Sequence, residues 1–428
     1  MKMSFCKLPF IKTNKTFRSV AKPFYLSALA ASMLAFVSVA YARTYNYEDV
    51  PIGERSFGMG HACMAISGDI SNMFYNPATL AYNESSQVSA ALSAYARIDT
   101  RTGEYVSLFR SARENISRGG FLAIPSTVGG NLKWGDWQWG GSILVPYLFD
   151  NSGTVKINAS SEAHFQSKYE AVWMGIFAAR KFNRHNVGVS LFYASHERDE
   201  QFGFYTDNAG TSSIRIVKNN ALATGMLAVL GGTYDVSSMV KVGYSLRLPP
   251  FVLGGTGERS DIISGGAVNP TEQFKTRFLP IPGRASAGVS WQFNDKLLLA
   301  ADLHFYFPVK GNSDPAGSET FAVDAKAITN IMLGLEYFHW KDIGIRFGLY
   351  SNMSAARAVP LRLTSLDDKV HMFGGTSALV FDKPNGSISL GGYILGGQGS
   401  SPTLDQSPVR TRRSNYIYGF VVGSTYKF

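Results

Sequence analysis

The chain has 428 residues, of which 45% are apolar and 13% are aromatic, and its formal net charge is +10. Six of the 41 basic residues lie in the first 22 positions, and the remaining basic residues exceed the 31 acidic ones by only four, which argues against nucleic-acid binding. After residue 42 no apolar run reaches the roughly 20 residues that a spanning helix needs, so a helical membrane protein is excluded.

Residues 1–42 have the layout of a secretory signal peptide. A basic leader without acidic residues is followed by an apolar stretch over residues 24–39 and by Ala40-Tyr41-Ala42. An N-terminal membrane anchor is the alternative, but the apolar run is short and the Ala-x-Ala end is typical of cleavage. We therefore predict export and cleavage after Ala42, which leaves Cys63 as the single cysteine.

Residues 43–85 precede the first predicted strand and are rich in small residues. Gly58 and Gly60 with Cys63 superficially match a dinucleotide fingerprint, but no strand precedes them and no βαβ unit surrounds them. Asn76-Pro77-Ala78 predicts a turn, because proline disfavours the helical conformation of the residue before it. The segment is either a periplasmic lead into the next domain or a plug folded into a lumen.

Residues 86–428 alternate between apolar and polar residues with the period of two that is typical of β-strands. The alternating stretches are long enough to cross a bilayer at a tilt. Short polar turns such as Gly135-Asp136 and Lys341-Asp342 regularly alternate with longer stretches. The longer stretches, which we expect to be outer loops, lie near residues 100–117, 150–160, 199–218, 249–272, 310–322, 354–368 and 399–411.

This alternation of short turns and long loops predicts an all-β fold, a transmembrane antiparallel β-barrel of about fourteen strands. Charged residues on inward rows would cost free energy if they faced lipid, so they are expected to face the lumen and to tie strands to the N-terminal segment. The candidates are Arg97, Arg247, Asp302, Glu336 and Arg346. The last strand places Tyr426 and Phe428 on its lipid-facing row, which resembles the signal by which outer-membrane barrels are inserted.

The N-terminal segment resembles a known family. Gly53-Glu54-Arg55, Gly58-Met59-Gly60, Asp69 and Tyr75-Asn76-Pro77-Ala78 are similar to the lumenal hatch of the FadL/TodX outer-membrane transporter superfamily, including its PorV-like relatives. The match is close over about thirty residues, and Thr79 stands where the family commonly has glycine. The resemblance implies a hatch with Gly58, Gly60 and the Asn76-Pro77-Ala78 turn, and a lateral opening in the third strand. Gly140, Gly141 and Pro146 are the candidates for that opening.

The resemblance also implies the function. It predicts passive uptake of long-chain fatty acids or other hydrophobic small molecules through the outer membrane, with lateral release through the wall. The alternative is a PorV-like barrel that acts as a platform for protein interaction or secretion. We expect a monomer whose partners are outer-membrane lipid, lipopolysaccharide and the barrel-assembly machinery. No enzyme motif, cofactor, metal site or nucleic-acid partner is predicted.

Overall fold

A computed structural model describes residues 45–107, 110–158, 161–208, 211–264, 271–312, 322–357, 369–402 and 410–428. The predicted signal peptide, residues 1–42, lies outside the described residues. The chain is almost entirely β-structure after a short helical segment. The strands, numbered in chain order, are β1 Gln87–Ser107, β2 Arg110–Trp134, β3 Trp137–Asn158, β4 Ser161–Phe182, β5 His185–Asn208, β6 Thr211–Asp235, β7 Val240–Arg247, β8 Phe251–Ile263, β9 Glu272–Lys275, β10 Arg284–Asn294, β11 Leu297–Tyr306, β12 Val309–Asn312, β13 Ala322–Ala325, β14 Ile328–Trp340, β15 Ile343–Asn352, β16 Lys369–Lys383, β17 Gly386–Pro402 and β18 Arg410–Lys427.

Fourteen of the described strands close into one antiparallel barrel. Each of them is hydrogen-bonded to its neighbours in the order β1 to β7, β10, β11 and β14 to β18, and β18 pairs with β1 to complete the ring. Closure leaves no unpaired sheet edge around the base of the wall, which is the condition for crossing a membrane with strands. The predicted class and approximate strand number are confirmed.

Four of the predicted outer loops are wrong. The stretch near residues 249–272 contains strand β8, Phe251–Ile263, which pairs with β6. The described parts of the stretches near residues 100–117, 150–160 and 199–218 are the outer ends of hairpins, with paired strands of 21 to 25 residues. The polar composition of these stretches is the reason that the sequence predicts loops there. A strand that extends beyond the bilayer no longer needs an apolar outer face, so polarity there does not end the strand.

The outer half of the wall is interrupted on the side of β7 and β10. Strand β7 ends at Arg247, two prolines follow, and β8 continues upward on β6 in its place. The stretch that leads into β10 contains Pro280 and Pro282, and β9 pairs only with β8 among the described strands. Proline cannot donate to a ladder, so both strands break at the same height. Strands β12 and β13 form a separate hairpin nearby.

The outer face of the barrel is apolar and the inner face is polar, small or covered. On β18, Tyr418, Phe420 and Tyr426 are exposed, whereas Ile417 and Val421 between them are buried. Phe428 is also exposed and stacks on Tyr426, with ring centroids 6.3 Å apart. Among the described residues no helix is long and apolar enough to cross a membrane.

Residues 45–86, called the plug from here on, lie inside the barrel. They contain two single-turn helices, α1 Arg55–Gly58 and α2 Asn72–Tyr75, and a 3-10 helix over Pro77–Tyr82. Most plug side chains are buried, and their hydrogen bonds reach wall strands on opposite sides of the ring, from β6 to β11, β14, β17 and β18. These contacts place the segment against the inner face of the wall on several sides of the ring.

Candidate functional site

The plug fits against the wall through glycines on both sides of the contact. Gly60 has a φ of +59°, and a Cβ atom there would lie 2.8 Å from the Cα of Gly348 on β15. On β7, a Cβ atom at Gly243 would lie 1.8 Å from the carbonyl oxygen of Met64. A Cβ atom on Gly58 would meet the side chain of Arg346 at 2.7 Å. Backbone therefore packs directly on backbone where plug and wall meet.

The Asn76-Pro77-Ala78 turn lies against β5 and β6. The Asn76 side chain accepts a hydrogen bond from the Ala78 N–H at 3.2 Å, and its amide donates to the carbonyls of Met64 and Gly232. Pro77 occupies the first position of the 3-10 helix, where a missing N–H costs nothing. One asparagine thus caps the helix and joins two parts of the plug to the wall.

Four charged groups form a buried network between the plug and strands β14 and β15. The Arg55 guanidinium contacts Glu336 at 2.5 Å, and Arg346 contacts the same carboxylate at 2.6 Å. Glu54 accepts hydrogen bonds from Ser387, Ser389 and Thr425 and lies 3.7 Å from Arg346. Removing one member would leave an uncompensated buried charge, so the network fastens the plug strongly.

Asp302 of β11 fastens the plug without an ion pair. Its carboxylate accepts the backbone N–H groups of Cys63 at 2.6 Å and Met64 at 2.8 Å. The side chain of Arg97, the remaining charged residue of the predicted inward set, lies outside those that the structure describes. Arg247 makes no ion pair with the plug among the described residues, and its neighbours differ from those of Asp302, Glu336 and Arg346.

Arg247 and Arg284 form a buried pair of like charges. They lie directly opposite each other in the β7–β10 ladder, at the last residue before both strands break, and both are 0% exposed. Like charges in this position are destabilising. Among the described residues, Nε, Nη1 and Nη2 of Arg247 and Nε and Nη1 of Arg284 meet no acceptor in full hydrogen-bond geometry, and the hydroxyls of Tyr147 and Tyr306 are the weaker partners of Arg247 and Arg284. Hydrogen-bond geometry is complete only for Nη2 of Arg284, which donates to the carbonyls of Phe74 at 3.0 Å and Tyr75 at 3.2 Å.

Aromatic rings surround this arginine pair. The guanidinium carbon of Arg247 lies 5.6 Å from the ring centroids of Phe74 and Trp173 and 5.7 Å from that of Tyr306. Trp173 is held in place by the hydrogen bond that its Nε1–H donates to Nε2 of His196 at 3.0 Å. Cation–π contacts lower the cost of burying a guanidinium, but they leave its N–H donors unpaired.

Apolar side chains continue from the aromatic rings. Leu279 and Ile281, from the interrupted stretch before β10, are 2% exposed and belong to the same core cluster as Phe74 and Trp173. Leu144 of β3 and Phe192 of β5 belong to it as well. The arrangement brings unpaired hydrogen-bond donors of positive charge next to a large apolar surface, which is the chemistry that an amphiphile with an anionic head requires.

Glu48, near the start of the plug, is held by three donors. His304 of β11 donates from Nδ1 at 2.9 Å, His61 of the plug donates from Nδ1 at 3.0 Å, and the Tyr306 hydroxyl donates to the same carboxylate. Burial acts to raise the pKa of Glu48, but the hydrogen bonds from His304 and His61 outweigh it and hold the pKa well below its ordinary value. Glu48 is therefore a carboxylate, and it carries a buried negative charge.

His61 has a left-handed backbone conformation, with a φ of +69°. This conformation costs a residue with a Cβ atom about 1–2 kcal/mol. It persists because the imidazole is fixed by Glu48 and packs on Tyr350, with ring centroids 4.6 Å apart. The plug loop around His61 thus depends on Glu48 for its shape.

The ladder between β2 and β3 stops partway up the wall. It runs from Trp134 and Trp137 to Thr127 and Leu144, above which β2 pairs only with β1 and β3 only with β4. The β3–β4 register skips at this height, where Pro146 lies. Proline and an irregular register both end strand pairing, so the wall separates here.

The three residues predicted for the lateral opening do not lie together at one break in the wall. Gly140 and Gly141 lie in the paired wall, opposite Asn131 and Gly130 of β2, and only Pro146 lies at the separation. A Cβ atom on Gly140 would meet the Gly130 carbonyl oxygen at 2.2 Å. Glycine therefore allows close approach of the strands at Gly140 rather than breaking them.

Sequence reasoning missed Arg284, Glu48 and His61. The signal for Arg284 was its position directly after Pro280-Ile281-Pro282-Gly283, where a broken strand resumes. Glu48 carried no sequence signal, because its partner His304 is 256 residues away along the chain, and His61 gains its role only through its contact with Glu48.

The fold has known counterparts. No protein-family model matches the chain, and no curated protein matches it in sequence. Among solved structures, a Pseudomonas aeruginosa FadL homologue is similar with a TM-score of 0.68 and 14% identity, over 90% of this chain and 100% of that one. The Pseudomonas putida toluene transporter TodX has a TM-score of 0.61 and 16% identity, over 89% and 99% of the two chains. The Ralstonia pickettii toluene transporter TbuX has a TM-score of 0.61 and 17% identity, over the same shares. The chain therefore has the fold of the FadL homologue and of the TodX-type hydrocarbon channels.

Proposed function

We propose that this protein takes up hydrophobic small molecules across the outer membrane, and that its substrates are long-chain amphiphiles with one carboxylate. The arginine pair carries the proposal. Five guanidinium nitrogens lack an acceptor in full hydrogen-bond geometry among the described residues, and aromatic and apolar side chains surround them. A substrate carboxylate would supply the missing acceptors, and its chain would pack on the apolar surface.

The arginine pair favours this substrate class over neutral hydrocarbons. The similar structures include toluene transporters, and such a ligand offers no acceptor for a guanidinium. Two buried like charges lower stability unless anions offset their repulsion; Glu48 offsets part of it, and a substrate carboxylate would add to that effect. A protein-interaction platform, the alternative from the sequence, gives no role to buried donors of this kind.

The route that we propose is passive and gated. Substrate enters from the outer side, binds at the arginine pair, and leaves through the separation between β2 and β3 when the plug shifts. Support comes from the position of Pro146 at the end of the β2–β3 ladder and from the membership of Leu144 and Val145 in the core cluster beside Trp173. A hydrophobic molecule that leaves sideways enters the bilayer without crossing the polar base of the barrel.

Uptake by whole cells tests the substrate class. Cells with an intact lipopolysaccharide layer and no other fatty-acid transporter are expected to take up radiolabelled oleate severalfold faster when they produce this protein. Uptake of toluene in the same cells is expected to change much less, because toluene lacks the carboxylate. Equal acceleration of both compounds would contradict the role of the arginine pair. Co-purification of a stoichiometric protein, with no uptake, would favour the platform.

Replacing Pro146 with valine tests the exit. Valine restores a backbone N–H and favours strand pairing, so the separation between β2 and β3 is expected to narrow and oleate uptake to slow severalfold. Equilibrium binding of oleate to the purified variant should remain unchanged. Pro384→Val, in the exposed turn between β16 and β17, is the matched control. Normal oleate uptake by a correctly assembled Pro146→Val protein would contradict a lateral exit between β2 and β3.

A further inference from the structure

Glu48 is the plug carboxylate that is linked to the arginine pair through Tyr306. Its partner Tyr306 lies directly opposite Arg284 in the β10–β11 ladder, and the Tyr306 ring is 5.7 Å from the guanidinium carbon of Arg247. Glu48 also interacts electrostatically with both arginines. The positive charge that awaits a ligand therefore also stabilises Glu48 as an anion.

The same carboxylate fastens the beginning of the plug. Through His304 and Tyr306 it is tied to the wall, and through His61 it is tied to the strained loop of the plug. The neighbouring backbone is held by Asn352 of β15, which accepts the N–H groups of Tyr47 at 3.1 Å and Glu48 at 3.2 Å. If Glu48 is released, the loop around His61 loses the contact that holds its left-handed conformation.

Asp302, the other buried carboxylate on this side, is placed differently. One of its carboxylate oxygens, Oδ2, accepts the backbone N–H groups of Cys63 and Met64. These backbone donors cannot rotate away when the charge nearby changes. Glu48 instead is bound by side chains that can rotate, and it belongs to a segment that precedes the helices of the plug. It is the carboxylate that can respond to a second anion.

We propose that Glu48 is an electrostatic latch, so that an anionic ligand at Arg247 and Arg284 and a fastened Glu48 disfavour each other. The inference rests on the proposed function and concerns its regulation. Glu48 is held mainly by His304 and His61, and the positive charge of the arginine pair adds to this; a bound carboxylate offsets that added charge, and the two anions repel each other across the arginine pair. Ligand binding then loosens residues 45–52 and the His61 loop. By linkage, loosening Glu48 must strengthen ligand binding by the same factor.

The test compares Glu48→Gln with the wild type, using the full mature protein in lipid nanodiscs. The probes are dodecanoate and its neutral counterpart dodecanol. Glutamine keeps the size of the side chain and removes the charge, so dodecanoate is expected to bind about fivefold tighter or more, at the lower end of measured allosteric couplings. Dodecanol affinity should not change. Asp49→Asn is the matched control, since it removes a charge one residue away that is bonded to Asn352.

Hydrogen–deuterium exchange measures the reciprocal effect. Saturating dodecanoate is expected to speed amide exchange in residues 45–52 of the wild type, whereas dodecanol is not. Weaker or unchanged dodecanoate binding by Glu48→Gln, with wild-type preference for dodecanoate over dodecanol intact, would overturn the latch and leave the proposed function standing. A wild type that binds both probes equally would overturn the proposed function itself.

Discussion

Deletion of residues 43–82 is expected to convert a sealed barrel into an open pore. A barrel of fourteen strands encloses more space than its own wall side chains fill, and the plug occupies that space. Conductance of single channels in a planar bilayer should rise by about tenfold or more over the intact protein. Heat-modifiable migration on a gel shows whether the shortened chain still forms a barrel, and a folded barrel without a conductance rise would disprove the sealing role.

A point variant tests the same seal with the whole chain present. In Gly243→Ala the new Cβ atom would lie 1.8 Å from the carbonyl oxygen of Met64, so the plug must move away from β7. Partial leakage is expected. Gly375→Ala is the matched control, because its Cβ atom would meet nothing nearer than the Leu349 side chain at 3.6 Å. Equal conductance of the two variants would show that the plug does not seal against β7.

Arg247→Met is expected to weaken anion binding and to stabilise the protein at the same time. A hydrogen bond to a charged group contributes about 1.5–3 kcal/mol, so dodecanoate affinity should fall by roughly 10- to 100-fold. Arg247 makes no ion pair among the described residues and has only the Tyr147 hydroxyl as a hydrogen-bond partner, so removing its buried charge should raise the free energy of unfolding by about 1–4 kcal/mol, even though the attraction to Glu48 is lost. A purely structural arginine would move stability in the opposite direction.

Arg346→Met supplies the contrast for this prediction. Arg346 is equally buried, but it contacts Glu336 at 2.6 Å, so its loss leaves a buried carboxylate without one of its partners. Stability should fall by about 3–5 kcal/mol. Urea unfolding in lipid vesicles measures both variants under the same conditions. If Arg247→Met destabilises the protein as Arg346→Met does, the arginine pair holds the structure together and does not await a ligand.

The base of the barrel could be predicted from sequence because the bilayer imposes strict local rules. Period-two alternation and short polar turns follow directly from strands that face lipid on one side and the lumen on the other. The turn between Trp134 and Trp137 and the exposed row ending in Phe428 are of this kind. Above the bilayer those rules lapse, and the stretches near residues 100–117, 150–160 and 199–218 form strands where loops were expected.

The candidate site was only half predictable. Arg247 could be placed inward, since a charge on an alternating row would be costly in lipid. Its pairing with Arg284 depends on the register of two strands, and the approach of Glu48 to His304 depends on how the plug lies in the lumen. Both are contacts between distant parts of the chain. A single sequence carries no local pattern for them.

Closure of the wall by β1 and β18 has a consequence for the order of assembly. The plug precedes β1 in the chain, yet its groups reach strands from β6 to β18. Charged side chains such as Glu54 and Arg55 could not enter a ring already closed without shedding water while still unpaired. We therefore expect the last strand to join the first around a plug that is already in place. On this account, the segment that seals the finished barrel is also the surface against which the wall strands assemble.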